Sequence, residues 1–174
     1  MTLDAPRAGS TTRPTFAHVA EELLDDVFGY LLFLTKNRAL ADDLTSDTFE
    51  AALRKWRRFD PDRGTPRAWL LAIARTTALD RLRADARRRR REERAEAAFP
   101  HGHADDPFAE GLSPELEAGL RTLSTGEREV VALRVVLDLD GEQAARVLGI
   151  SPTAVSTRLH RALAKLEERM RDDA

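Results

Sequence analysis

The sequence predicts an all-α protein made of two small helical domains joined by a flexible linker. Three observations carry this. Apolar residues recur at spacings of three and four, and almost nothing alternates with period 2. A Pro- and Gly-rich stretch without period, "FPHGHADDPFAEGLSP" from Phe99 to Pro114, divides the helical segments. Near the C-terminus, "ARVLGISPTAVSTRLHRAL" from Ala145 to Leu163 reads as two short helices about a tight turn.

The totals fit this reading. A chain of 174 residues holds one ordinary domain or two small ones, and 42% apolar residues suffice for modest cores. The absence of Cys excludes disulfides, thiolate metal sites and Cys nucleophiles, and agrees with a cytoplasmic protein. No apolar run approaches the roughly 18 residues of a membrane span. "MTLDAPRAGSTTRPT" lacks the apolar core of a secretory signal and reads as a disordered lead-in.

Charge is segregated. Between Arg54 and Arg94, fifteen basic residues face six acidic ones, a local excess of nine positive charges. With a net charge of −2, the rest of the chain carries −11. A basic block in an acidic chain points to a polyanion on one part and a different partner, or none, on another. The bland alternative is a solvated Arg-rich helix.

The elements follow in order. Val27, Tyr30, Leu31 and Leu34, preceded by Leu23 and Leu24, form a first apolar stripe, interrupted by "KNR" at Lys36 to Arg38. A second helix is expected from about Leu40 to Trp56, with Leu44, Phe49, Ala52, Leu53 and Trp56 as apolar positions. It starts acidic (Asp42, Asp43, Asp47) and ends basic (Arg54, Lys55, Arg57, Arg58), the order that complements a helix dipole. "FDPDRGTPR" is a loop closing on a helix start, with Thr65 as N-cap and Pro66 at the first helical position. The third helix carries Trp69, Leu70, Ile73, Leu79 and Leu82 and runs into an Arg-rich tail without an apolar stripe. In the linker, His101, His103, Asp105 and Asp106 lie close together; a solvated linker is favoured over a metal site, because nothing nearby supplies a rigid second shell. Beyond it, Leu116 and Leu120 begin a short helix, and "STGE" from Ser124 to Glu127 is a capping box. The helix it opens carries Val130, Val131, Leu133 and Val136 and ends near Asp138.

In the final stretch, Gly149 sits where a left-handed turn is cheap, Ile150 fills the gap between the helices, and Ser151 with Pro152 starts the second one. At 100° per residue, Val155, Leu159, Ala162 and Leu166 define its buried side. The opposite side shows Thr153, Thr157, His160, Arg161 and Ala164, flanked by Ser156 and Arg158. Short polar groups, an imidazole and guanidiniums suit base edges and phosphates in a major groove.

Taken in order, "ADDLTSDTFEAALRKW" (Ala41 to Trp56), "FDPDRGTPRAWLLAIARTTALDRLR" (Phe59 to Arg83), the linker, and "LSTGEREVVALRVVLDLDGEQAARVLGISPTAVSTRLHRAL" (Leu123 to Leu163) resemble the extracytoplasmic-function (ECF) group of sigma-70-type sigma factors. The resemblance implies a lead-in over 1–15, a sigma2-like helical domain over 16–95, a linker over 96–113 and a sigma4-like helix-turn-helix domain over 114–174. It implies that Asp42, Asp43, Leu44, Asp47, Thr48 and Glu50 meet the β′ clamp helices of core RNA polymerase. It implies that Phe59, Asp60, Asp62, Arg63 and Gly64 capture a flipped base of the −10 element, while Arg67, Arg75, Thr76, Arg81 and Arg83 track its strand. Thr76 stands where the family commonly has Asn. Thr153, Ser156, Thr157, Arg158, His160 and Arg161 would read the −35 element, with the polymerase β flap on the same domain.

The bland readings are a dipole-matched surface helix, an ordinary inter-helix turn, and core roles for Trp56, Phe59 and Trp69. The implied partners are core RNA polymerase, promoter DNA and an anti-sigma factor, with no membrane, cofactor or metal. The competing functions are a sigma-like decoy that titrates an anti-sigma factor, and a stand-alone helix-turn-helix regulator. An enzyme is disfavoured: His18, His101, His103 and His160 lie in unrelated contexts, and no Gly-rich phosphate loop or nucleophile–base arrangement is present.

Overall fold

The structure is a computed structural model that describes residues 14–95 and 114–172. Helix α1 spans Phe16–Thr35, α2 Arg38–Lys55 and α3 Pro66–Ala95. After the linker come α4 (Pro114–Thr122), α5 (Thr125–Val131), a π-helical turn (Ala132–Val136), α6 (Gly141–Leu148) and α7 (Pro152–Asp172). Among the described residues no strand occurs. The expected boundaries within 1–13 and 96–113, and the His101, His103, Asp105 and Asp106 group, lie outside the described residues.

Helix ends are set by local hydrogen bonds to groups the helix itself leaves unpaired. Thr15 caps α1, accepting from the His18 N–H at 3.3 Å. The helix stops at Lys36, whose φ of 53° puts a non-Gly residue in the left-handed region. Asn37 then caps α2, accepting from the Leu40 N–H at 2.9 Å. So short a link folds α1 and α2 into a helical hairpin. Helix α2 begins two residues before its expected start and ends in a 3₁₀ turn at Trp56–Arg58.

Thr65 caps α3 at 3.2 Å and Pro66 occupies the first position, as the sequence predicts. The Arg-rich tail continues α3 to Ala95. Leu70, Leu71, Ala74 and Ala78 are buried, and beyond Ala78 no described side chain of α3 is.

The C-terminal half rests on two capping boxes. Asp140 and Gln143 form the one that opens α6. Ser124 and Glu127 form the one that opens α5, and Lys165 of α7 reaches the same carboxylate at 2.8 Å. Between α5 and α6 the chain makes a π turn, with the Leu137 N–H donating to the Ala132 carbonyl at 2.9 Å. This swings Val135 and Val136 to the surface, 56% and 61% exposed, so Val136 leaves the inward stripe expected of it. Gly149 ends α6 with φ 67°, and the Ile150 N–H returns to the Ala145 carbonyl at 3.1 Å, a Schellman-type stop.

The two halves share one continuous buried core. Helix α3 packs on α6, and α1 on α5 and the π turn. Burying a Leu such as Leu31, Leu71 or Leu133 is worth about 1.5–3 kcal/mol, and these residues come from both halves.

The hydrogen bond from Lys165, and then that from the Ser124 backbone, pull the Glu127 pKa from 4.5 to about 2 against the opposing effect of burial. A carboxyl depressed on folding stabilises fully above its unfolded pKa, and the contribution fades as pH falls toward the folded one. Glu127→Gln keeps a box acceptor but loses the charge that Lys165 pairs with, and is therefore expected to lower Tm at pH 7 by about 2–4 °C, the equivalent of about 1 kcal/mol. In thermal melts the deficit should narrow as pH drops from about 4.5 to about 2; a gap constant across that window would contradict it.

Candidate nucleic-acid interface

The exposed face of α2 comes first. Asp42, Asp43, Ser46, Asp47 and Glu50 are all exposed and lie on one side of the helix. Leu53, 58% exposed, extends that side by three residues, although its type had placed it with the core. Glu50 is paired with Arg54. Leu44 and Thr48 are correctly helical positions but wrong surface ones. Both are fully buried, and the Thr48 hydroxyl donates to the Leu44 carbonyl at 2.6 Å. They seat the helix and offer no atom to a partner.

The loop after α2 is built on an aromatic cluster. Trp56 and Phe59 stack with centroids 5.0 Å apart and planes within 2°. Trp69 of α3 tilts against both, at 5.7 and 5.3 Å, and Phe16 of α1 meets Trp56 at 5.6 Å. Phe59 is 5% exposed, so the core role weighed for it is the one the structure gives. On this base the chain turns sharply. The Asp60 carboxylate accepts from the Asp62 N–H at 3.0 Å, and Gly64 takes φ 153° with ψ 176°, a conformation reserved for Gly. Asp60, Asp62 and Arg63 are thereby left exposed. A cavity of about 410 Å³ opens beside them, lined by Arg58, Phe59, Asp60, Arg63, Gly64, Thr65, Trp69 and, from the other half, Arg146.

The basic residues of α3 have different fates. Arg67 is tied to Asp26 of α1 at 2.6 Å, both half-buried. Arg81 pairs with the partly buried Asp85 and the exposed Arg83 with the exposed Asp80, each at 3.3 Å within the helix itself. Exposed i,i+3 and i,i+4 pairs of this kind are worth only about 0.2–0.5 kcal/mol, so a phosphate competes for them easily. The Thr76 hydroxyl donates to the Ala72 carbonyl at 2.9 Å.

Arg75 is held differently. Its Nε donates to Glu129 Oε1 at 2.8 Å and its Nη2 to Oε2 at 3.3 Å, a two-pronged pair between α3 and α5. Tyr30 of α1 donates to the same carboxylate at 3.5 Å. Burial first, and then the Glu129 charge, push the Tyr30 phenol well above its ordinary range, so it stays a donor. Neither Glu129 nor Arg146 stands out in sequence as a site residue; their importance comes from contacts across the two halves.

In the helix-turn-helix, Ser151 caps α7 at 3.2 Å. Val155, Ala162 and Leu166 are buried, while Thr153, Ser156, Thr157, His160 and Arg161 are exposed. Arg158 is half-buried and lies over Gly126, where an added Cβ would meet its guanidinium at 3.0 Å. Among the described residues no group of His, Cys, Asp and Glu is placed to hold a metal, and no helix is long and apolar enough to cross a membrane.

An acidic helix face, a loop with an open cavity, a basic helix and an outward-facing polar helix after a tight Gly149 turn give the chain the architecture of a helix-turn-helix protein. Residues 19–89 match the family "Sigma-70 region 2", and residues 114–166 match "Sigma-70, region 4". RNA polymerase sigma factor CarQ of Myxococcus xanthus is 33% identical over 162 residues, covering 88% of this chain and 92% of CarQ. ECF RNA polymerase sigma factor BldN of Streptomyces coelicolor is 31% identical over 97% of this chain, which spans 65% of BldN. Sigma factor RpoE bound to the anti-sigma factor NepR, from Bartonella quintana, superposes with a TM-score of 0.71 at 25% identity, covering 91% of this chain and 98% of RpoE. CnrH in complex with the cytosolic domain of CnrY gives 0.65 at 28% identity, over 91% of this chain and 89% of CnrH. The chain belongs to the ECF group of the sigma-70 family and is an alternative sigma factor.

Because Phe59 supports both the loop and the Trp56–Trp69 contact, Phe59→Ala is expected to cost about 3–5 kcal/mol. Urea unfolding followed by Trp fluorescence measures it; a loss below about 1 kcal/mol would show that the loop stands without its aromatic base.

Proposed function

We propose that this sigma factor binds core RNA polymerase through α2 and reads promoters at two points, as a non-catalytic cytoplasmic subunit. The observation that carries the reading is the order of exposed surfaces on one chain: acidic face, looped cavity with basic helix, then polar recognition helix. The segment 16–95 acts as the polymerase-holding and −10-melting unit, and 114–174 as the −35 reader and β flap ligand, linked by 96–113.

Each surface has a physical task. Asp42, Asp43, Asp47 and Glu50 present fixed negative charge to a basic helical partner on the β′ clamp, which speeds and orients docking. Melting the −10 element costs a few kcal/mol of unstacking per base, and a cavity that accepts a flipped base repays it. Asp60, Asp62, Arg63 and the backbone at Gly64 supply hydrogen-bonding groups at its mouth. Thr76, Arg81 and Arg83 follow along α3, where they would neutralise the strand's phosphates. Arg67 supports this surface through Asp26 rather than touching DNA. In the major groove, Thr153, Ser156, Thr157, His160 and Arg161 face outward as a base- and phosphate-reading set, with Arg158 contributing from the flank. A recognition face this polar and this exposed favours promoter binding over the decoy alternative. Each DNA site alone is weak; tethering by polymerase makes them act together through effective concentration.

Reconstitution with core polymerase on a genomic promoter pool tests the assignment, and absence of any sigma-dependent transcript would sink it. Arg161→Ala should weaken −35 binding by about 1–3 kcal/mol if it reads a base, or reduce the salt slope by about one if it holds a phosphate. Reversing Asp43 and Asp47 to Arg should instead impair core binding, measured by gel filtration or anisotropy, and leave −35 duplex binding unchanged.

A further inference from the structure

Three guanidiniums gather on the loop cavity with little there to neutralise them. Arg58 closes the 3₁₀ turn after α2, Arg63 ends the turn that follows, and Arg146 reaches in from α6; all three line the space of about 410 Å³. Arg58 and Arg63 are exposed, and among the described residues neither side chain has a hydrogen-bond or ionic partner. Arg146 pairs with Glu142 at 3.3 Å, an exposed i,i+4 contact of the weak kind. Its guanidinium is nonetheless seated against the loop, since a Cβ added to Gly64 would meet Arg146 Nη1 at 3.2 Å. Asp60 is the one carboxylate on the lining, and it already accepts from the Asp62 N–H at 3.0 Å. Like charges placed together repel, and a cleft lined by one sign concentrates ions of the other. An anion restores the balance.

The rest of the lining says what kind of anion. Phe59 and Trp69 form an aromatic wall, with Trp56 stacked behind Phe59 at 5.0 Å. Inorganic phosphate would engage the guanidiniums and leave that wall and most of the volume unused. The volume lies within the range of about 300–1,000 Å³ that small-molecule sites occupy. A planar base meets an aromatic side chain by stacking, and a terminal phosphate meets Arg through paired N–H donors. Asp60 adds an acceptor for the amino group of a base. We propose that this cavity is a binding site for a free nucleoside diphosphate, with its base on the Phe59–Trp69 wall and its phosphates held by Arg58, Arg63 and Arg146. The site goes beyond the promoter reading: its ligand is a small molecule, and Arg146 belongs to none of the DNA surfaces assigned above. Where the −10 assignment also holds, the nucleotide and a flipped base compete for the same wall.

The chain's two Trp residues, Trp56 and Trp69, both stand in this aromatic cluster, so their fluorescence reads the cavity directly. Excited on the red edge of the indole band, where nucleotides do not absorb, the full chain should be quenched by GDP and by ADP with Kd below about 1 mM. Guanosine lacks the phosphates and pyrophosphate lacks the base; each should bind at least about tenfold more weakly than GDP. Arg63→Ala and Arg146→Ala should each weaken GDP about ten- to hundredfold, the loss expected for a hydrogen bond between charged groups. Arg171→Ala, exposed near the far end of α7, should leave GDP binding unchanged. Absence of quenching by either nucleotide up to about 1 mM, pyrophosphate binding as tightly as GDP, or equal GDP affinity in the parent and both cavity variants overturns the proposal. Transcription by the holoenzyme reads the sigma assignment separately. A chain that binds GDP as described yet yields no transcript keeps this site and loses the −10 role.

Discussion

A carboxylate removed from water must find positive charge, and Glu129 finds it on the other half of its own chain. Removing one partner from a buried ion pair costs about 3–5 kcal/mol, because the remaining charge is left without compensation. With only 3% of Glu129 exposed, its position fixes how α5 must meet α3 and α1. The apolar core that spans both halves is non-directional and would tolerate some sliding. The two-pronged Arg75 contact and the Tyr30 hydroxyl do not, since each demands an angle as well as a distance.

Within each half, the directional chemistry is local. Thr15, Asn37, Thr65, Ser124, Asp140 and Ser151 each place an oxygen on a helix start. Those short polar residues decide where helices begin, and the buried stripe decides which way they face. The α5 box is further braced by Lys165, so α7 is pinned to α5 by charge on one side and by Val155, Ala162 and Leu166 on the other. Helix α7 is therefore held on its support by both charge and apolar contacts.

Much of this was legible in the sequence because it rests on neighbours. The Thr65–Pro66 start, the Ser124–Glu127 box, the Gly149 stop and the buried side of α7 all follow from residues within four positions of one another. What escaped was tertiary. Leu53 and Val136 are apolar and fall on helical stripes, yet both are exposed, because residue type does not say whether a second surface waits to cover it. Leu44 and Thr48 sat beside the acidic residues in sequence, but the step of about 100° from one helical residue to the next carried them inside. The π turn rests on the Leu137–Ala132 hydrogen bond and leaves no pattern in the residues that make it. Arg75 meets Glu129 across 54 positions and Tyr30 meets it across 99, distances no periodicity can see. The exposed polar side of α7 was readable because it lies on a single helix.

The length of α3 has a mechanical side. Its inner part, through Ala78, is clamped in the core, while the outer part from Leu79 to Ala95 projects about 25 Å at about 1.5 Å per residue. A continuous helix of that length is a stiff lever with its fulcrum at the core's edge. Arg75 sits one turn inside that fulcrum. A pull or torque applied at the far end, where the chain leaves for the C-terminal half, is delivered to the very turn that holds Glu129. With an outer arm of about 25 Å and an inner arm of about 4.5 Å, a rod pivoting there trades displacement at its far end for force at the charge pair.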